Sequence, residues 1–458
     1  MMKAKFSILV SSLCTICFIL TFSAALLGVL SLSTYAGEPK PSDTQFEFEI
    51  RERYEHQENY NDKFYGTTPK QGESRDDYLL SRIRIGVNHQ FSPELKGKIS
   101  LQDARAFGWG FDDQDWKASE FGGIENNPQI DPLELGQTWL QFQAHKDVSI
   151  IAGRQAIFYG NTRVFGPGEW KNSGKWVWDA AKISYQRGDH FVDAFYGKTK
   201  LHDPGEFSLN HRHGYTGAGV YGHYAIGKHA SVEPILAMKQ NDRSNDYRER
   251  TQYYYGLRAY HNALGIGFVD ATYIKATGEN VKNNGSEVDI DASGYNVDAG
   301  LKITPQWKAG VTYSYASGDD KSTPDDERFD GVFGATDKYY GRMNLMEWSN
   351  LRDYGLFINY TPKKEFLFEL EYHKFYADEI KDKWRAYTNL NATSDHYGDE
   401  VDLAATWAVN PTWTIMTGVT YFMPGDLIRQ AAPKQAFLTD DEGWGGFIQV
   451  TYRYKGYI

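Results

Sequence analysis

Along most of this chain the apolar positions recur at every second residue. Phe46, Phe48 and Ile50 fall on one side of the repeat, with Glu47, Glu49, Arg51 and Arg53 on the other. A helix would scatter these charges around its axis, whereas a strand sorts them onto two faces. Ile83, Ile85 and Val87 alternate with Arg82, Arg84 and Gly86 in the same way. Further on, Tyr354, Leu356, Ile358 and Tyr360 alternate with Gly355, Phe357 and Asn359, and Phe366, Phe368, Leu370 and Tyr372 with Glu369 and Glu371. Segments of this kind are centred near residues 50, 84, 100, 139, 152, 181, 195, 219, 235, 256, 269, 297, 311, 356, 371, 403, 417 and 449, which predicts eighteen strands.

The connections alternate too. Phe91–Glu94, Thr304–Gln306, Thr361–Lys363 and Asn410–Pro411 are turn-sized, while residues 57–76, 108–132, 319–349 and 425–442 are long. A sheet with short connections at one end and long ones at the other has unlike surroundings at its two ends. The expected fold is therefore all-β: a transmembrane antiparallel barrel with short periplasmic turns and long extracellular loops. Closure removes the sheet edges that lipid cannot satisfy. An even strand number puts both chain ends on the short-turn side. Aromatic residues such as Tyr354 and Tyr360 cap the apolar rows, where a ring with a polar tip suits the membrane–water boundary.

The N-terminus stands apart. Lys3 and Lys5 precede an apolar run from Phe6 to Leu30, and Thr34-Tyr35-Ala36-Gly37 follows. This reads as a secretory signal over residues 1–36, cleaved after Ala36, with the barrel over 37–458. Both cysteines, Cys14 and Cys17, lie in the signal, so neither disulfides nor thiol chemistry are expected beyond it. The whole chain carries a net charge of −11, which argues against nucleic acid as a partner. Mean hydropathy is −0.58. That value fits a soluble protein, but a barrel shows only alternate residues to lipid and escapes such averages.

Alternation places Arg82 and Arg84 in the lumen, and Arg51, Arg53, Lys182, Arg258 and Lys302 on the same grounds. Two roles are open to them: contact with an anionic substrate, or pairing with wall acids such as Glu47, Glu49, Asp193, Asp298, Glu369, Glu371 and Asp402. The long loops are acidic. Residues 319–349 hold eight Asp and Glu against four Lys and Arg, and Asp112–Asp115 is similar. Such loops read as solvated, with repulsion of a polyanion or Ca²⁺ binding as functional alternatives; no other cofactor is expected. Gly217-Ala-Gly219-Val-Tyr-Gly222 matches a dinucleotide-binding pattern, but it lies inside a strand rather than at a strand-to-helix turn. His211 and His213 suit a metal by residue type, and Asp378-Glu379 suits glycoside hydrolysis. Neither is supported by a motif, and no enzyme is expected.

Three stretches resemble the alginate export family of outer-membrane barrels. They are Ala152–Gly160 continuing through Asn161–Trp170, Trp178–Tyr185 with Phe191–Gly197, and Phe329–Gly334 through Tyr340–Leu345 to Leu351–Tyr354. The likeness covers roughly residues 44–458. It implies an eighteen-stranded monomeric pore for passive passage of an anionic polysaccharide. Arginines would select the polymer, since their planar fork pairs carboxylates and stays charged. On the same basis Arg154 is carried over as a constriction residue, with Arg342 and Arg352 near the outer mouth. Asp179 belongs to the second stretch, yet its parity with Ala181 and Ile183 aims it at lipid. The implied partners are the bilayer, lipopolysaccharide, the exported polymer and periplasmic export machinery, in the outer membrane of a Gram-negative bacterium. A porin taking up small anionic nutrients is the alternative.

Overall fold

A computed structural model describes residues 43–59, 75–108, 110, 117–118, 124–174, 176–202, 212–241, 247–335, 339–384, 387–388, 391–434 and 438–457. The signal segment, Asp112–Asp115 and His211 lie outside the described residues. Thr44–Gly456 forms one compact unit. Its barrel strands are β1 (Thr44–Glu58), β2 (Arg75–Gln90), β3 (Leu95–Phe107), β4 (Asp131–Leu135, resuming as Thr138–His145), β5 (Val148–Ala156) and β6 (Val177–Arg187). There follow β7 (His190–Lys200), β8 (His213–Ile226), β9 (Ala230–Asn241), β10 (Tyr247–Leu264), β11 (Gly267–Lys282) and β12 (Glu287–Lys302). The last six are β13 (Trp307–Ala316), β14 (Leu351–Tyr360), β15 (Phe366–Tyr376), β16 (His396–Ala408), β17 (Trp413–Pro424) and β18 (Gly443–Tyr457). Each segment centre expected from the alternation falls in its own strand.

β1 pairs with both β2 and β18, which closes an antiparallel barrel of eighteen strands. No helix among the described residues is long and apolar enough to cross a membrane, so crossing falls to the strands. Register keeps like faces together. Ile50 lies opposite Ile83 and Arg51 opposite Arg82, so one face of the wall is apolar and the other charged. The outer face exposes Ile83, Ile99, Leu140, Val220, Leu236, Leu356, Leu403 and Ile448. A soluble monomer rarely shows so much contiguous apolar surface, whereas lipid requires it. Beside the short turns stand Trp307 stacked on Tyr360 at 4.2 Å, Phe366 on Trp407 at 5.6 Å, and Trp413 against Tyr452 at 4.8 Å. These rings form an aromatic girdle at the turn-side interface.

Leu356 tests the register of β14. Its side chain is 56% exposed on the outer row. Leu356→Arg is expected to destabilise the inserted barrel by roughly 2–4 kcal/mol, the cost of a cation near the bilayer midplane. Folding titrations into lipid vesicles read this; unchanged stability would put residue 356 on the inner face.

The long loops depart from expectation. The described residues of 317–350 turn inward and pack, although their acidity reads as solvation. Phe329, Val332, Phe333, Tyr340, Met343, Leu345 and Trp348 are buried there. The described residues of 157–176 turn inward as well, and Phe165 meets Phe333 in a parallel bridge. Phe333 stands edge-on to Trp178 of β6 at 4.6 Å. A short helix, α1 (Asp426–Ala431), adds Leu427 and Ile428 to the same apolar core. The strand wall makes room for it with glycine. A Cβ at Gly217 would lie 2.6 Å from the Trp178 ring and 2.8 Å from Phe333, and one at Gly219 would strike Phe195. The Gly217–Gly222 pattern therefore serves ring packing.

Several charged residues of 317–350 are paired. Asp326 bonds Arg250 at 2.8 Å, Asp330 bonds Lys239 at 2.9 Å and Tyr254 at 2.5 Å, and Arg328 pairs with Asp382.

Candidate functional site: the lumen and its charges

The inner rows of β1 and β2 carry Arg51, Arg53, Arg82 and Arg84 side by side, and four cations so close need anions between them. The wall supplies Glu49, which Arg82 contacts at 2.6 Å. Loop 157–176 supplies Glu169, 3.1 Å from Arg82 and 3.4 Å from Arg84. Burial raises the pKa of Glu169, but Arg84, Arg82 and Arg51 more than offset this and hold it down to about 2. Arg51 donates to the Glu169 carbonyl oxygen at 2.7 Å, and Arg53 lies 3.9 Å from the Trp170 ring. Arg51, Arg53 and Arg82 are buried, and Arg84 is partly exposed.

The other wall cations repeat the arrangement. Lys182 of β6 pairs with Asp193 of β7 at 3.1 Å. Arg258 of β10 grips Asp270 of β11 through two bonds of 2.7 Å and reaches Glu233 of β9 at 2.5 Å. Arg342, on the inward loop, pairs with Glu369 at 3.0 Å and Glu371 at 3.4 Å.

Arg154 and Arg352 do not join these rows. Arg154 lies opposite Asp179 in register and bonds it through two contacts of 2.8 Å, with Glu134 at 3.1 Å. Cross-strand partners share a face, so Arg154 stands with the Asp179 row, which continues as the exposed Ala181 and Ile183. Its charge meets Asp179 and Glu134 at the loop end of the wall, not a central constriction. Arg352 shares the outer row of Tyr354 and Leu356 and pairs with Asp395 at 2.7 Å. His213, which suits a metal by residue type alone, contacts Asp179 at 2.8 Å. Asp378 accepts a bond from the Gly318 amide at 3.0 Å.

Beneath the inward loops lies a cavity of about 250 Å³, lined by Arg163, Asp270, Asp298, Lys302, Lys308 and Glu371 among others. Lys302 donates to the Asn262 carbonyl oxygen at 2.8 Å. Lys308 lies 4.1 Å from the Phe268 ring. Neither forms an ion pair among the described residues. Arg163 stacks on Tyr339 at 3.9 Å, donates to Tyr340 at 2.9 Å and reaches Asp298 at 3.5 Å. One of these residues, Arg163, escapes a reading by alternation. Lys308 was legible, since it alternates with Trp307, Ala309 and Val311. Arg163 sits in a loop where no period applies.

The sequence model of the family described as alginate export matches residues 42–437. The chain belongs to the alginate export family. Solved outer-membrane porins share its fold at low identity. OccAB2 of Acinetobacter baumannii aligns with TM-score 0.59 and 10% identity over 91% of this chain and 100% of its own. OpdK of Pseudomonas aeruginosa, solved with vanillate, aligns at 0.58 and 9% identity over 91% and 100%. OccK8 (OprE) of Pseudomonas aeruginosa aligns at 0.58 and 11% over 90% and 98%. No curated protein matches the sequence. This alginate export family member is thus an outer-membrane channel of a Gram-negative bacterium. Barrels of this kind are generally channels rather than enzymes.

Proposed function

We propose that the channel passes an anionic polysaccharide or oligosaccharide of the uronate kind by diffusion, without chemistry. The observation that carries this reading is the pair Lys302 and Lys308: two inward ammonium groups with no carboxylate partner among the described residues, in a barrel of the alginate export family. Weak, multi-site attraction of this sort lets a polymer enter and leave. In the same reading Arg51, Arg53, Arg82, Lys182, Asp193, Arg258 and Arg342 hold wall and loops together. Arg84 alone of the β1–β2 group adds an edge open to the lumen. Residues 1–36 act as the export signal, and the barrel works as a monomer among lipid and lipopolysaccharide, with periplasmic machinery delivering the polymer.

Cavity size favours a second reading, uptake of small anionic nutrients. About 250 Å³ lies just below the roughly 300–1,000 Å³ typical of small-molecule sites. A polymer needs loops 157–176 and 317–350 to move; a small carboxylate does not. Single-channel recording separates the two. Current blockade by oligo-uronate, absent with neutral oligosaccharide of equal length, is expected. Blockade by a small aromatic or aliphatic carboxylate, with none by oligo-uronate, would transfer the channel to nutrient uptake.

A further inference from the structure

On the lumenal face of β14 to β17 acids accumulate without enough partners. Glu371 of β15 and Asp402 of β16 are directly opposed in register, an arrangement that like charges disfavour. His373 is opposed to Glu400 on the same face. Asp353 of β14 and Glu369 of β15 add two more carboxylates, making five with Glu371, Glu400 and Asp402. Against them stand Arg342, which pairs with Glu369 and Glu371, and the imidazole of His373.

Burial makes the imbalance costly. Asp353, Glu400 and Asp402 are fully buried and His373 nearly so. Asp402 accepts the Arg342 amide on Oδ2, yet its Oδ1 has no hydrogen-bond partner. Oε2 of Glu400 and Oγ1 of Thr420, the residue opposite Asp402 on β17, are also buried without partners. A buried charge is tolerated when it is paired or coordinates a metal.

We propose that Glu371, His373 and Asp402 bind one divalent transition-metal ion. One ligand atom from each lies within 4.8 Å of the others, close enough to share a cation. The imidazole is already oriented: His373 Nδ1 bonds Asp353 at 3.0 Å, leaving Nε2 without a hydrogen bond among the described residues. A carboxylate behind a histidine is the usual support of a metal ligand, fixing its tautomer. One nitrogen with two carboxylate oxygens suits Zn²⁺ or Mn²⁺ better than Ca²⁺, which takes oxygen alone. Glu371 and His373 also line the cavity, which gives an ion its entry path. Because Asp402 and Glu400 accept the amides of Arg342 and Met343, the bound ion pins the inward loop to the wall. The site is independent of what the channel carries.

The test uses the full-length barrel in detergent, stripped with chelator and then titrated with ZnCl₂ and with MnCl₂. One ion per barrel is expected, with a metal-edge anomalous peak between β15 and β16 in crystals. Glu371→Gln and His373→Gln are each expected to weaken binding at least about tenfold with the barrel's circular dichroism unchanged; Asp353→Asn, which acts through His373, weakens it roughly 10–100-fold. Failure of the stripped wild type to take up either ion overturns the proposal, leaving the carboxyls to share protons instead. So does an anomalous peak elsewhere, or full affinity in folded Glu371→Gln.

Discussion

Replacing Arg82 and Arg84 together by glutamate is expected to release loop 157–176 from the wall while the barrel still assembles. Arg82 is fully buried, with Glu49 at 2.6 Å and Glu169 at 3.1 Å. It also donates to the Asn172 carbonyl oxygen at 3.3 Å. Losing one partner of a buried ion pair costs about 3–5 kcal/mol, because the other charge is left uncompensated. Charge reversal adds repulsion from two glutamates. Ladder hydrogen bonds between β1 and β2 are unaffected, so strand pairing survives. The expected result is normal migration of the folded barrel on gels, new protease cleavage within 157–176, and raised single-channel conductance. Unchanged cleavage and conductance with altered ion selectivity would instead make these arginines the selectivity element.

Phe333→Ala should have an effect of similar size by a different route. The side chain is fully buried and meets Trp178 at 4.6 Å, Trp176 at 5.4 Å and Phe165 at 6.3 Å between ring centroids. Truncation removes a ring from the junction of the two inward loops and leaves a cavity there. A loss of about 3–5 kcal/mol is expected, as for other buried phenylalanines. Phe368→Ala, on the lipid face of β15, keeps the inner core intact and serves as control. Chemical unfolding from vesicles measures both. Equal effects from the two variants would mean that residues 317–350 do not rest inside the barrel.

Both experiments concern loops, and loops are where the sequence was least legible. The wall was readable because a strand forces parity: once Ile83 and Ile85 face lipid, Arg82 and Arg84 must face inward. That rule also reaches Lys308, and it places Asp179 in the outward row. It has no purchase on 317–350. There the buried residues Phe329, Val332, Phe333, Tyr340 and Leu345 recur at no fixed spacing, among acids that look solvated. A signal that could have found the segment is the glycine at 217, 219 and 294, inward positions of strands where a ring from elsewhere must fit. A Cβ at Gly294 would lie 2.7 Å from the Phe329 ring. Pairing was equally hidden: parity shows that Arg258 points inward, but not that Asp270 and Glu233 neutralise it. The family motif carried Arg154, and only the register against Asp179 located its side chain. The acid-rich face around Asp402 was visible as composition, whereas its missing partners were not.

In the proposed function the channel prefers anions, and its selectivity rests on Lys302 and Lys308 rather than on the paired wall arginines. Reversal potential across a planar bilayer under a KCl gradient reads this preference. The predicted result is chloride preference in the wild type, reduced or inverted by Lys302→Glu with Lys308→Glu at unchanged assembly. Potassium preference in the wild type, or a reversal potential indifferent to both substitutions, would contradict it.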